Sequence, residues 1–113
     1  MKIYTTTLSA VALLALFSAS ANAAIDDAKA LDLMKKEKGG CAVCHSVDKK
    51  LIGPMYKAVA EKRKGQADAL AVMEKAVRHG SKDVYGKIPM PPTAPAKISD
   101  ADLHDLLQWV LTK

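Results

Sequence analysis

The chain reads as an all-α protein, and three observations predict it. Between residues 66 and 79 the apolar side chains Ala69, Leu70, Met73, Ala76 and Val77 recur at i, i+3, i+4, i+7 and i+8, the period of one buried helical stripe. From Ser99 onward Leu103, Leu106, Leu107, Val110 and Leu111 repeat the pattern. No segment beyond residue 23 alternates apolar and polar residues as a half-buried strand would.

Residues 1–23 are expected to precede the fold. Lys2 supplies a positive start, residues 8–17 form an apolar run, and Ala21-Asn22-Ala23 offers small residues for cleavage, the pattern of a secretory signal peptide. The run is shorter than the about 20 residues that span a membrane. Cleavage after Ala23, export to the periplasm and a mature form without a membrane span are therefore expected; an uncleaved anchor is the alternative. Residues 24–113 then form one domain, expected as a monomer.

A domain of this size buries only roughly 60–70% of its unfolded surface. This one has a single Trp (Trp109), Tyr56, Tyr85 and no Phe. An apolar cofactor at its centre would supply the missing core.

The first mature helix is predicted over residues 25–39, capped by Asp26 or Asp27, with Ala28, Leu31 and Met34 or Lys35 on the buried face. Lys35, Lys36 and Lys38 fall in its last turn and Gly39-Gly40 stops it. A short helix follows over residues 54–62, with Pro54 at its start and Tyr56, Val59 and Ala60 inward. Residues 62–65 connect it to the periodic helix of residues 66–79, which Gly80 closes. Residues 81–97 show no periodicity and hold four of the five prolines, so this long loop is read as functional. Ser99 caps the last helix, with Asp102 three residues on. The first and last helices are expected to pack together and close the domain, with Trp109 beside the apolar face.

Between the first two helices stands Cys41-Ala42-Val43-Cys44-His45. C-x-x-C-H is the attachment pattern of a c-type haem. In a helical turn, residues at i, i+3 and i+4 share a face, so two thiols and an imidazole can meet one flat porphyrin. The competing readings are weaker. A disulfide closing so short a loop constrains little chain. A thioredoxin-like dithiol wants strands around the motif. A zinc site needs further ligands, and His79 and His104 stand far apart.

A histidine-ligated haem iron has a sixth position, and its occupant decides function. Left open, it permits peroxidase chemistry or gas sensing; filled by a thioether, it makes an electron carrier. Met34, Met55 and Met73 are most simply core filler, His79 ends a helix, and His104 falls among polar, exposed positions. Met90 differs. It lies in Ile88-Pro89-Met90-Pro91-Pro92, where prolines hold the backbone and remove polar donors.

In Lys-Gly-Gly-Cys-Ala-Val-Cys-His (residues 38–45), Gly53-Pro54-Met55-Tyr56, the Met90 segment and Gln108-Trp109-Val110-Leu111, the chain resembles the class I c-type cytochromes, in particular the small bacterial monohaem group of the c-551 and c-552 type. The resemblance implies helices wrapped round one haem c held by Cys41 and Cys44, with His45 and Met90 as axial ligands. It also implies that the Pro54 carbonyl accepts a hydrogen bond from His45. The family departs from this chain at two places. Tyr85 stands where a Trp usually bonds a haem propionate, with the segment around Lys82-Asp83 one residue longer. Thr93 stands where an Asn is often found beside the Met sulfur. Both contacts are left open.

The implied function is one-electron shuttling without bond chemistry. Partners would be redox proteins such as a terminal oxidase, a nitrite reductase or a quinol-oxidising cytochrome complex. The chain carries 17 Lys and Arg against 12 Asp and Glu, a net charge of +5, spread without an arginine-rich stripe. That distribution speaks against nucleic-acid binding and suits docking onto an acidic protein. Lys49, Lys50, Lys82 and Lys87 lie in the loops expected to border the haem edge.

Overall fold

The computed structural model describes residues 24–113; the expected signal peptide, residues 1–23, lies outside the described residues. Four helices follow one another: α1 (Asp27–Leu33), α2 (Tyr56–Arg63), α3 (Ala69–His79) and α4 (Asp100–Leu111), with a 3₁₀ turn at Cys41–Val43 between the first two. Among the described residues the extended pairing is limited to two isolated antiparallel bridges, His45 with Lys50 and Ser81 with Met90. The fold is all-α, as the periodicities predict. No helix among the described residues is long and apolar enough to cross a membrane.

The last helix organises the rest. Ser99 Oγ accepts from the Asp102 backbone N–H at 3.1 Å, so the cap occupies one of the amides that a helix start leaves unpaired. Asp100 and Asp102 in the first turn complement the helix dipole. Leu103, Leu106, Leu107, Trp109 and Val110 are buried, and α1, α2 and α3 all pack against this one helix. Burying a Leu or Val side chain contributes about 1.5–3 kcal/mol, and Leu106 and Val110 are the largest fully buried side chains of the core.

The expected pairing of first and last helices is observed, but the first is shorter and turned differently. Asp26 caps α1 by accepting from the Lys29 N–H at 2.7 Å. The buried face is Ala30, Leu33 and Met34, while Leu31, expected inside, is 52% exposed and Ala28 is exposed too. A helix of two turns carries too few apolar residues to fix its own phase. The decisive contacts are tertiary: the Trp109 indole donates to Asp27 Oδ1 at 2.7 Å, and Lys113 Nζ lies 3.1 Å from the same oxygen and 4.1 Å from the indole centroid. These hydrogen bonds, strongest of all the contributions, hold the Asp27 carboxyl below its ordinary range. The helix stops at Leu33, and residues 35–38, expected as its last turn, form a separate turn. Gly39 N–H reaches the Leu33 carbonyl (3.0 Å) and Gly40 N–H reaches that of Lys35 (2.9 Å).

Both middle helices keep their predicted faces. Tyr56, Val59 and Ala60 of α2 are buried. In α3, Ala69 and Met73 are buried, while Leu70 and Val77 pack at the margin of the core. Helix α3 ends at Gly80, whose φ of +80° falls in the region open to glycine.

Candidate haem site

The motif is held by backbone bonds that leave its side chains free. Gly40, at φ +72°, turns the chain into the 3₁₀ turn. The Cys44 and His45 N–H groups then both reach the Cys41 carbonyl, at 3.1 and 2.8 Å. Gly53 N–H donates to the Cys44 carbonyl at 2.8 Å, folding residues 46–52 back as a loop. The same loop starts α2, because the carbonyls of Ser46 and Val47 accept from the Tyr56 and Lys57 N–H groups at 2.9 and 3.2 Å. Amides orphaned at a helix start are thereby satisfied by the motif loop, and motif and helix become one rigid unit.

His45 is fixed at three points. Its Nδ1 donates to the Pro54 carbonyl at 2.8 Å. A prolyl carbonyl can only accept, so Nδ1 carries the proton and Nε2 keeps its lone pair. The ring stacks on Tyr56 with centroids 5.2 Å apart. On another side stands Gly53, where an added Cβ would lie 2.6 Å from His45 Cε1. The imidazole thus occupies the space a side chain at 53 would take.

Met90, which lines the same cleft, is anchored by its backbone. Its N–H donates to the Ser81 carbonyl at 2.7 Å and its carbonyl accepts from the Ser81 N–H at 3.0 Å. The loop of residues 81–97 is therefore pinned to the end of α3 rather than structureless. Two contributions escaped periodicity and motif reading, a second role of Gly80 and the whole role of Arg78. Gly80 lets the chain pass so close that a Cβ there would sit 2.9 Å from the Met90 carbonyl. Arg78 spans the base of the loop, with Nη1 donating to the Thr93 carbonyl (3.1 Å), Nη2 to the Ile98 carbonyl (2.9 Å) and Nη2 also to Asp100 Oδ1 (2.7 Å). Thr93 is held further by its N–H to the Val77 carbonyl at 2.8 Å. The signal for Arg78 was slight: beside His79 in the last turn of α3 it reads as one more basic residue complementing the helix dipole.

Cys41, Cys44, His45, Pro54, Met90 and Thr93 line a single cleft of about 300 Å³, floored by Met73 and Val77 of α3 and by Leu103, Leu106, Leu107 and Val110 of α4. The thiols of Cys41 and Cys44 are free. Burial pushes the Cys41 thiol and the Tyr56 hydroxyl up, so both stay neutral. Lys50, Lys82, Lys87 and Tyr85 are also in the wall, whereas Lys49 is exposed outside it. His79 and His104 do not reach the cleft. His104, expected among exposed positions, is only partly exposed, and its Nδ1 lies 2.7 Å from Glu74 Oε1.

An apolar cleft lined by two free thiols, an oriented imidazole and a thioether fits a haem. Two buried polar atoms support the fit: Arg63 Nε and Tyr85 Oη have no hydrogen-bond partner among the described residues. Both residues line the cleft, and a ligand with polar edges would satisfy them. Fold and site together define a small c-type cytochrome.

Comparison with known proteins agrees. The Cytochrome c family model matches residues 23–113, and the chain belongs to that family, among its small class I members. Cytochrome c2 of Rubrivivax gelatinosus is 54% identical over 74 residues, covering 66% of this chain and 87% of that protein. Cytochrome c-551 of Pseudomonas aeruginosa is 44% identical over 82 residues, 73% of this chain and 75% of that one. Among solved structures, cytochrome c552 of Nitrosomonas europaea superposes with a TM-score of 0.64 at 40% identity, covering 73% of this chain and 96% of that one. The class 1 cytochrome MtoD of Sideroxydans lithotrophicus superposes with 0.63 at 34% identity, covering 79% and 97%. Family and motif assign one covalently bound haem c to Cys41, Cys44 and His45.

Proposed function

We propose that this chain is a periplasmic one-electron carrier in which Cys41 and Cys44 hold the haem by thioethers and His45 Nε2 and the Met90 sulfur ligate its iron. One observation carries the reading: His45 and Met90, from distant segments, line the same cleft, each fixed by its own hydrogen bonds. When bound, the haem supplies a one-electron iron couple. The protein's share is positional. Pro54 sets the tautomer of His45, the Ser81 bridge and the prolines hold Met90, and the α3 and α4 side chains keep water from the cleft. Such burial is one of the levers by which a protein tunes haem potential.

Ile52, Val84 and Ile88 are exposed at the mouth of the cleft, beside Lys50, Lys82 and Lys87. An apolar contact ringed by positive charge suits transient docking onto an acidic respiratory partner. Terminal oxidases, nitrite reductases and quinol-oxidising cytochrome complexes are the partner classes, and steering acts mainly on association rate. Lys49 adds to the field from outside the wall.

The test is the visible spectrum of the oxidised holoprotein. A weak band near the red edge, from methionine–iron ligation, is expected in the wild type and absent in M90A, whose potential is lower. Wild type without the band would indicate an open iron position and peroxidase or gas-binding chemistry. The mass of the exported protein checks both processing and attachment, since it should equal the chain from Ala24 plus one haem.

A further inference from the structure

Three rings form a file that leads out of the cleft. The His45 imidazole stacks on Tyr56 with centroids 5.2 Å apart and planes 19° from parallel, and Tyr56 meets Trp109 edge to face at 6.2 Å and 89°. Among the described residues these are the only two ring pairs, and they share Tyr56. Tyr56 lines the cleft, whereas Trp109 does not. Both rings are buried, Trp109 at 3% exposure. Beyond Trp109 the file ends on Asp27 and Lys113. Electron tunnelling weakens steeply with distance, and this file replaces one long step by short ones between neighbouring rings.

The rings differ in where a proton can go. An indole that loses an electron becomes a strong acid, and the Trp109 N–H already donates to Asp27 Oδ1 at 2.7 Å. That hydrogen bond and Lys113 hold the Asp27 carboxyl below its ordinary range, so it is ionised and can accept. At 76% exposure it passes the proton on to water. Lys113 Nζ, 4.1 Å from the indole centroid, makes removal of the electron harder. Proton transfer to Asp27 offsets this. Tyr56 has no such partner, since its hydroxyl lies beside the Cys41 sulfur. A phenol that loses an electron persists only if its proton leaves, so Tyr56 is a step and Trp109 the terminus. Tyr85, the other phenol of the cleft wall, has Lys62 Nζ 5.4 Å from its ring centroid and no acceptor for its hydroxyl among the described residues.

We propose that Trp109, through Tyr56 and the His45 ring, supplies an electron to the haem when a hydroperoxide oxidises the reduced protein, and that Asp27 takes the indole proton. This rests on the haem reading of the cleft and goes beyond electron carriage between partners. The step balances. Hydrogen peroxide needs two electrons and two protons to become two waters as its O–O bond breaks. One electron comes from the haem couple and one from Trp109. One proton is the indole's, released through Asp27, and the other comes from the solvent. A neutral indolyl radical is left on Trp109, outside the cleft that holds the thioethers and Met90. There Asp27 and Lys113 are all that separates it from a soluble reductant that can refill it. Trp109 thus has a role besides packing and fixing the face of α1.

The test mixes the reduced holoprotein with equimolar hydrogen peroxide and a nitroso spin trap, then maps the trapped adducts by peptide mass spectrometry. Electron paramagnetic resonance of rapidly frozen samples types the radical. In wild type the main adduct is expected on Trp109, with an indolyl signal. Y56F keeps a ring in place but removes an oxidisable one, and should lower the Trp109 adduct at least threefold. W109F should move the adduct to Tyr56 and speed bleaching of the Soret band. D27N leaves both rings and an acceptor oxygen but no base, and should lower the Trp109 adduct at least threefold, with D27E restoring it. A merely structural role for these residues would shift melting temperatures and leave the distribution of adducts alone. A wild-type adduct chiefly on another residue, or an unchanged Trp109 adduct in either Y56F or D27N, would overturn the proposal. If Y56F takes up no haem, the D27N result decides by itself. Soret absorption retained after denaturation, recorded on the same samples, separates that failure from a failure of the haem reading.

Discussion

Replacing Arg78 by alanine tests whether the methionine loop is held by packing or by one side chain. The Arg78 side chain is only 15% exposed, and its guanidinium donates to two backbone carbonyls, those of Thr93 and Ile98, besides Asp100. Hydrogen bonds to a charged donor contribute about 1.5–3 kcal/mol each. Water can reach the Thr93 carbonyl once the side chain is gone, which places that bond at the low end. Asp100 is 87% exposed, so its ion pair is screened and adds about 0–1 kcal/mol. R78A should therefore cost about 2–4 kcal/mol and D100N less than about 1 kcal/mol on these grounds. Denaturant unfolding of the two holoproteins gives both numbers. The red-edge band of the proposed Met90 ligation should also weaken on mild heating sooner in R78A than in wild type, because Met90 shares its loop with Thr93. The reasoning fails if R78A lies within about 0.5 kcal/mol of wild type, the range of ordinary surface changes. It fails also if D100N costs as much as R78A, for then the ion pair and not the carbonyl contacts holds the loop.

Gly53→Ala should push the His45 ring off the Pro54 carbonyl, since Tyr56 blocks its retreat; a loss of about 1–3 kcal/mol is typical of overpacking, and thermal melting together with haem-loaded yield reads it. Wild-type values for both in G53A would refute the close contact at Gly53. Asp27→Asn should destabilise the helix pair near neutrality. The folded-state pKa of Asp27 is depressed, so its contribution is present above the ordinary value of 3.8 and fades as pH falls below it. Melting temperatures of wild type and D27N should accordingly converge below pH 3.8, and a gap independent of pH would remove the ionic part of the argument.

The two kinds of information divide at identifiable residues. Local chemistry announces the attachment motif, because C-x-x-C-H must be contiguous to present two thiols and an imidazole together. Met90 is legible for a related reason: flanking prolines leave a thioether on fixed backbone outside any helix. The last helix declares its buried face because five apolar residues outvote any alternative phase. Leu31 shows the limit, since α1 is too short to choose its face, and Trp109 and Lys113 choose it from the far end of the chain. Arg78 and Arg63 are invisible for another reason. Each looks like a solvated charge until the fold shows which carbonyls or which buried cleft it meets.

By itself, then, the sequence determined helices, haem attachment and the pair of candidate ligands, all properties of residues close together along the chain or marked by unusual neighbours. Only the tertiary structure decided that His45 and Met90 share one cleft, that Gly53 is closed by the imidazole, and that Arg78 spans the base of the methionine loop. Those are relations between segments, set by α4 as the surface on which the other three helices pack, and no local pattern encodes the distance between them.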